Sequence, residues 1–211
     1  MPLPKSYIFF AKKLQKLLTF TSYTFSGCKR LITMPNLPDT LTDMPGTFEN
    51  CTSLTTIPNL PNNLISMKST FSGCTSLKSI PTMPNTVIDM NLTFFGCTSL
   101  TTIPNISINV TNMYGAFKYC TNLTTVPDIP ESVTNMIGTF AYCTNLQGTL
   151  KIDANLTGTI IEVSDGSYKD YVNIFQSACQ LDGLTLKVTG KCPVLKEIIT
   201  YTENPNITLG I

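Results

Sequence analysis

The sequence contains neither histidine nor tryptophan. Without histidine it lacks the commonest general base, the usual base of a catalytic triad and the commonest zinc ligand. It also has no Gly-rich phosphate-binding loop, no nucleophile elbow and no paired-carboxylate arrangement. We therefore expect no catalytic residue, no cofactor and no metal site, and the composition indicates a protein that is not an enzyme.

Charged residues are also scarce, at 13% of the chain, about half the usual share in soluble proteins. A net charge of +1 gives no electrostatic reason to expect a nucleic-acid partner. No apolar run approaches the ~20 residues that a membrane-spanning helix needs. The short apolar stretch at 7–11 has a single lysine before it and Lys12, Lys13 and Lys16 after it, whereas a secretory signal peptide has its positive residues mainly in front. We expect no transmembrane segment, and no signal peptide is visible.

The strongest feature of the sequence is an internal repeat of 23 residues, numbered here from its cysteine. The cysteines are Cys28, Cys51, Cys74, Cys97, Cys120 and Cys143. The minus-three position holds Phe25, Phe48, Phe71, Phe94, Phe117 and Phe140. The plus-three position holds Leu31, Leu54, Leu77, Leu100, Leu123 and Leu146. The plus-sixteen position holds Met44, Met67, Met90, Met113 and Met136.

The full unit reads C-T-S-L-T-T-I-P-N-L-P-x-x-V-x-x-M-x-x-T-F-x-G. Its seven apolar positions predict an inward-facing set, and one unit leaves both of its flat faces open, so the units must stack. Leu54 to Ile57 has strand propensity, and the proline that follows ends the strand because it has no N–H. Apolar residues at i, i+4 and i+7 between Met67 and Cys74 favour a short α- or 3₁₀-helix.

The string from Phe71 to Pro81, F-S-G-C-T-S-L-K-S-I-P, resembles the BspA-like class of leucine-rich repeats found in bacterial and protozoan surface proteins. The resemblance implies an α/β solenoid. This is a right-handed superhelix with short parallel strands on one face, short helices or turns on the other, and here a β-rich C-terminal cap. It also implies surface display and binding of host proteins or other cells. Here the proline follows the isoleucine directly, which leaves the length of each strand open.

Three segments follow from the repeat boundaries. Residues 1–17 are predicted as an N-terminal cap, although their apolar stripe with lysines opposite also fits a basic helix on a membrane surface or partner. Residues 18–146 are the solenoid of 23-residue units. Residues 147–211 are predicted as degenerate repeats and a C-terminal cap, because 147–152 is echoed at 184–188 and the C-x-x-L-x-x-I signature returns at 192–198.

Other residue patterns have a structural and a chemical interpretation, and the structural one is favoured. Stacked repeats place neighbouring cysteines about 5 Å apart, which is within the range of a disulfide. Because every cysteine in the column has the same surroundings, we expect free, buried thiols that pack as small apolar residues. The column of methionine thioethers could in principle bind a soft metal such as monovalent copper. A core position of a stacked repeat has the same pattern, however, and core packing is the favoured interpretation. Four acidic residues lack the ordered spacing of a calcium loop: Asp153, Glu162, Asp165 and Asp170. N-x-S/T glycosylation sequons begin at Asn50, Asn91, Asn105, Asn109, Asn122, Asn155 and Asn206. In a chain this rich in asparagine and threonine they mostly reflect composition.

The predicted strand face supplies the candidate binding strip. It consists of Thr33, Thr56, Lys78, Ser79, Thr102 and Thr125. Such a flat, weakly charged strip of hydroxyls suits contact with a protein or a glycan, although strand propensity alone also favours threonine there. We predict a non-enzymatic, surface-exposed binding or adhesion module, located at the cell surface, outside the cell or on a virion surface. The alternative is an architectural subunit of a virion or other surface assembly, which the absent signal peptide and the Met1 start favour.

Overall fold

The computed structural model describes residues 22–34, 36–152, 184–188 and 207–210. Through the repeat region the chain forms a stack of coils, each one repeat long. The minus-three phenylalanines from Phe48 to Phe140 and the plus-three leucines from Leu54 to Leu146 are all completely buried. Phe25 and Leu31, in the first described unit, are partly buried against the same core. The predicted inward set is therefore the core of a leucine-rich-repeat solenoid.

The phenylalanine file shows that the units are in register. Successive rings from Phe25 to Phe140 lie 5.3–5.9 Å apart between centroids and are tilted by only 6–8°. Rings at this separation pack favourably and exclude water from both faces. Each inner ring therefore belongs to the core of two neighbouring repeats at once.

Strand pairing within the repeats is limited to single parallel bridges. At plus five they join Thr33 to Thr56 and Thr102 to Thr125. A second set, at plus fifteen, runs through Asp43, Ser66, Asp89, Asn112 and Asn135. Proline at plus seven has no N–H to continue the first ladder, which is why the pairing stays this short.

Longer strands appear only after the last phenylalanine in the described part of the chain. They are β1 (Gly148–Ile152), β2 (Leu184–Val188) and β3 (Ile207–Gly210). The strands are parallel in the order β1-β2-β3, and Thr149 pairs with Thr185 while Lys151 pairs with Lys187. The two similar segments, 147–152 and 184–188, therefore pair with like residues opposite each other. The third strand, β3, was not among the predicted strands.

The segment from methionine to cysteine forms a run of turns, and none of the described residues is helical. Thr70, Ser72 and Cys74 donate their N–H to the carbonyl three residues earlier, at 3.0–3.2 Å. Ser69, Phe71 and Gly73 donate theirs to the following repeat, at 2.7–2.9 Å. A helix would use every N–H internally, but here alternate groups join the repeats. Positive φ angles of 53° at Ser69 and 73° at Gly73 interrupt a helical backbone at two of these three donors, so turns take the place of the helix that the spacing favours.

Buried hydroxyls help to tie the units together. The Oγ1 atoms of Thr70, Thr93 and Thr139 donate to methionine carbonyls of the preceding repeat at 2.7–2.8 Å. All three side chains are completely buried, so these bonds satisfy groups that would otherwise be costly to remove from water.

Several sequence predictions lie outside the described residues and stay predictions. They are the N-terminal cap at 1–17, the signature at 192–198, and the four acidic residues Asp153, Glu162, Asp165 and Asp170.

Candidate functional site

The plus-five side chains form one exposed row along the stack. This hydroxyl row consists of Thr33, Thr56, Ser79, Thr102 and Thr125, and each member is exposed. Parallel bridges join Thr33 to Thr56 and Thr102 to Thr125, and Ser79 lies between the two bridged pairs at the same position of its repeat. Lys78, at plus four, is also exposed and lies beside Ser79. The structure thus brings the whole candidate strip to one face.

The hydroxyl row differs from its plus-four neighbours in its hydrogen bonding. At plus four, Thr55 Oγ1 donates to Ile32 O at 3.3 Å and Thr124 Oγ1 donates to Thr101 O at 3.1 Å. Within the described part of the chain, the hydroxyls of the plus-five row have no hydrogen-bonding partner. Their donors and acceptors therefore stay available to water or to a ligand.

Five of the six ladder cysteines are enclosed in the core, away from solvent and from any reactant. All six ladder cysteines are free thiols, and every one except Cys28 is buried. Each buried Sγ donates to the carbonyl of a phenylalanine in the preceding repeat, at 3.1–3.2 Å. Burial, reinforced by the neighbouring cysteine, raises the pKa of Cys51 to about 11 and that of Cys74 to about 12. The same causes raise the pKa of Cys97 and Cys120 well above the usual value of 9.0. The five buried thiols act as small apolar side chains of the core.

The methionine file occupies the core as well. Met44, Met67, Met90, Met113 and Met136 are completely buried, which is the arrangement that core packing requires. Among the residues that the structure describes, no helix is long and apolar enough to cross a bilayer.

The structure also assembles an aromatic cluster that the sequence analysis did not single out. Tyr119 and Tyr142 stack at 4.5 Å between centroids and 14° between planes, and Phe95 meets Tyr119 edge-on at 5.3 Å. Lys118 Nζ lies 5.4 Å from the centroid of Tyr119 and 5.7 Å from that of Tyr142. We call these four residues the aromatic ledge. The clue in the sequence is the minus-one position, where tyrosine replaces the glycine or asparagine of the earlier repeats.

Stacked units of one length, each with an inward plus-three leucine and a short strand segment beside it, define a leucine-rich-repeat protein. A family model described as the BspA type leucine-rich repeat region matches in six copies, over residues 6–124 and 44–164. The chain belongs to this BspA-type leucine-rich-repeat family.

Two solved structures with TM-scores above 0.5 agree on the fold. A leucine-rich repeat protein from Bacteroides ovatus is 25% identical with a TM-score of 0.57, over 79% of this chain and 43% of that one. The pneumococcal vaccine antigen PcpA is 15% identical with a TM-score of 0.53, over 90% and 44%. A leucine-rich repeat protein of T. pallidum is 25% identical with a TM-score of 0.47, over 61% and 72%. The chain thus spans less than half the length of the first two proteins. No curated protein sequence matches the chain.

Proposed function

We propose that the chain is a non-enzymatic, surface-exposed binding or adhesion module that recognises a protein or a glycan through the hydroxyl row and Lys78. The observation that carries the proposal is the exposure of five in-register hydroxyls with no partner among the described residues. Free donors and acceptors on an ordered backbone are pre-organised, so a ligand that binds them loses little freedom in the protein. Membership in the BspA-type family supports the proposal, because the resemblance implies display at a surface.

The spacing of the row favours an extended ligand. Neighbouring members of a parallel ladder lie about 4.8 Å apart, so five hydroxyls span about 19 Å. Charges are sparse in the strip, where Lys78 is the one ionisable member. Binding would therefore depend on several modest hydrogen bonds, each contributing about 0.5–1.5 kcal/mol, and would depend only weakly on salt.

The test is a binding screen of the full chain against a glycan microarray and a panel of purified extracellular proteins. Thr56→Arg/Thr102→Arg places two bulky cations in the row, two repeats apart, and is expected to abolish or sharply weaken any binding that the screen detects. The matched control is Asn59→Arg/Asn105→Arg. It adds the same charge at two exposed positions of the same repeats, beyond the proline.

Two results would contradict the proposal. One is equal binding by the chain and the hydroxyl-row variant, with unchanged circular dichroism, which places the ligand elsewhere. The other is the absence of any bound glycan or extracellular protein together with stoichiometric co-assembly with structural proteins. That outcome would support the alternative of an architectural subunit of a virion or surface assembly.

A further inference from the structure

The minus-one position of each repeat has a backbone conformation that tyrosine seldom adopts. Its occupants are Gly27, Asn50, Gly73, Gly96, Tyr119 and Tyr142, and φ is positive at all of them. Glycine adopts this region freely and asparagine tolerates it, whereas φ values of 64° at Tyr119 and 62° at Tyr142 are unfavourable for a bulky side chain. The solenoid does not need an aromatic residue here, because four earlier repeats form without one. Bulky residues also occupy this region at the minus-five position, in Tyr23 and Leu92, so the ledge is marked by two stacked tyrosines beside a lysine and not by φ alone.

The aromatic ledge has a cation that no described carboxylate neutralises. The ammonium group of Lys118 faces the rings of Tyr119 and Tyr142, and no ion pair to it is present within the described ranges. Lys118 stands at the minus-two position of its repeat, and the acidic residue at that position in the other repeats is Glu49, which lies three repeats away from Lys118. Cation–π contact positions the ammonium while leaving its remaining N–H donors available. Tyr119 itself is 38% exposed, so the ledge is accessible from solvent.

Next to the ledge the minus-one column leaves open space. A Cβ added to Gly73 would collide with the side-chain amide of Asn50 from the preceding repeat. A Cβ added to Gly96 would meet, apart from its adjacent residues, only Gly73 Cα at 4.0 Å. The φ of 68° at Gly96 does not by itself require glycine, since Asn50 has 56° at the equivalent place. Gly96 therefore forms the floor of a notch, with the Asn50 amide on one side and the aromatic ledge on the other.

We propose that this notch and the aromatic ledge bind an acidic saccharide, a pyranose that carries a carboxylate or a sulfate. The apolar face of the sugar ring would pack on the aromatic side chains, as apolar surfaces do on exposed aromatic rings. Its anionic group would accept charge-assisted hydrogen bonds from Lys118, and a hydroxyl of the sugar would bond the Asn50 amide. This site goes beyond the proposed function, because it lies on the turn side of the repeats and shares no residue with the hydroxyl row.

The test is a titration by isothermal calorimetry of the full chain with four probes: sialyllactose, a glucuronic-acid oligosaccharide, a sulfated heparin fragment and neutral lactose. Binding is expected for at least one acidic probe and should weaken as salt is added. Carboxylated and sulfated probes distinguish the two possible sources of the anion. Equal binding of lactose, or no binding of any acidic probe, would overturn the proposal.

The variants use residues that other repeats carry, so they are expected to fold. Tyr119→Gly/Tyr142→Gly should weaken binding of the acidic probe at least about tenfold, which corresponds to about 1.4 kcal/mol. Lys118→Ser, which places the residue of two other repeats at the minus-two position, should weaken it similarly by removing the cation. Tyr114→Asn, which removes an exposed tyrosine outside the ledge, is the matched control and should bind normally.

The hydroxyl-row variant Thr56→Arg/Thr102→Arg separates this proposal from the preceding one, and it should retain the acidic sugar. Unchanged binding by both ledge variants, with circular dichroism unchanged, would overturn the ledge as the site. Loss of the acidic sugar in the hydroxyl-row variant and in neither ledge variant would assign it to the strand face instead.

Discussion

The interior files and the hydroxyl row have the same 23-residue period but opposite surroundings. Thr93 and Thr102, on either side of Cys97, show the contrast. Thr93 is completely buried and donates to Met67 O at 2.8 Å, whereas Thr102 is exposed and its hydroxyl has no partner among the described residues. Residue type therefore does not decide the role of a threonine in this protein; its position in the coil does. Interior positions specify the stack, and exterior positions are free to serve binding.

The largest effect is expected inside the stack. Phe71→Ala removes a ring that lies between Phe48 and Phe94, at 5.7 and 5.6 Å. We expect the free energy of unfolding to fall by about 3–5 kcal/mol, since the cavity opens into two repeats. Urea denaturation followed by circular dichroism measures the change.

The exposed Tyr114 provides the aromatic control for that experiment. It is 41% exposed, and Tyr114→Ala should change stability by less than about 0.5 kcal/mol. Equal urea midpoints for the two variants would contradict the contrast between interior and exterior.

A smaller effect is expected from raising the pH. The folded pKa values of about 11 at Cys51 and about 12 at Cys74 lie above the ordinary value of 9.0. An acid whose pKa is raised by folding stabilises the fold fully below its unfolded pKa, and this contribution is lost as the pH rises through the folded value. Stability should therefore decline from about pH 9 upward.

Urea midpoints at pH 8 and pH 10.5 measure the decline. Tyrosine and lysine also titrate in this range, so Cys74→Ala serves as the reference and should decline less steeply than the unmodified chain. Identical slopes would show that the cysteine file does not contribute to the alkaline loss of stability.

The smallest effect is expected in the hydroxyl row. Thr56→Arg and Thr102→Arg are exposed changes that leave the interior files untouched, so each should shift stability by about 0.5 kcal/mol or less. Differential scanning calorimetry of the double variant tests this. A large drop in melting temperature would mean that the row is needed for folding and would weaken its interpretation as a free surface.

The buried positions could be predicted from the sequence because apolar residues recur at them every 23 residues. A position that must match its neighbour in every repeat, such as Phe71 or Cys74, keeps one residue type throughout. The parallel pairing of β1 with β2 was likewise visible in the echo of T-L-K across the two segments. The four-residue β3 shares only T-L with them, at Thr208 and Leu209, and so short a match is not distinctive in the sequence, so this strand was missed.

The turn run was not predictable from apolar spacing. Spacing of i, i+4 and i+7 reports which side chains face inward, but it does not report that Ser69 and Phe71 donate their N–H to the next repeat. Such bonds join residues far apart in sequence, so local propensity cannot register them. The aromatic ledge was missed for a different reason. Tyr119 and Tyr142 differ from the glycine or asparagine of the earlier repeats, and a consensus of all repeats does not show residues that occur in only two of them.

Thiol labelling is the most direct test of the claim that the repeats stack in register and bury the column of cysteines. The chain is alkylated without reductant, in native buffer and in denaturant, and then analysed by peptide mapping. Among the ladder cysteines, Cys28 alone is exposed and should react rapidly in native buffer, whereas all six should react in denaturant. Disulfide-linked ladder peptides, or rapid native labelling of Cys74 and Cys97, would contradict an in-register stack with a buried thiol file.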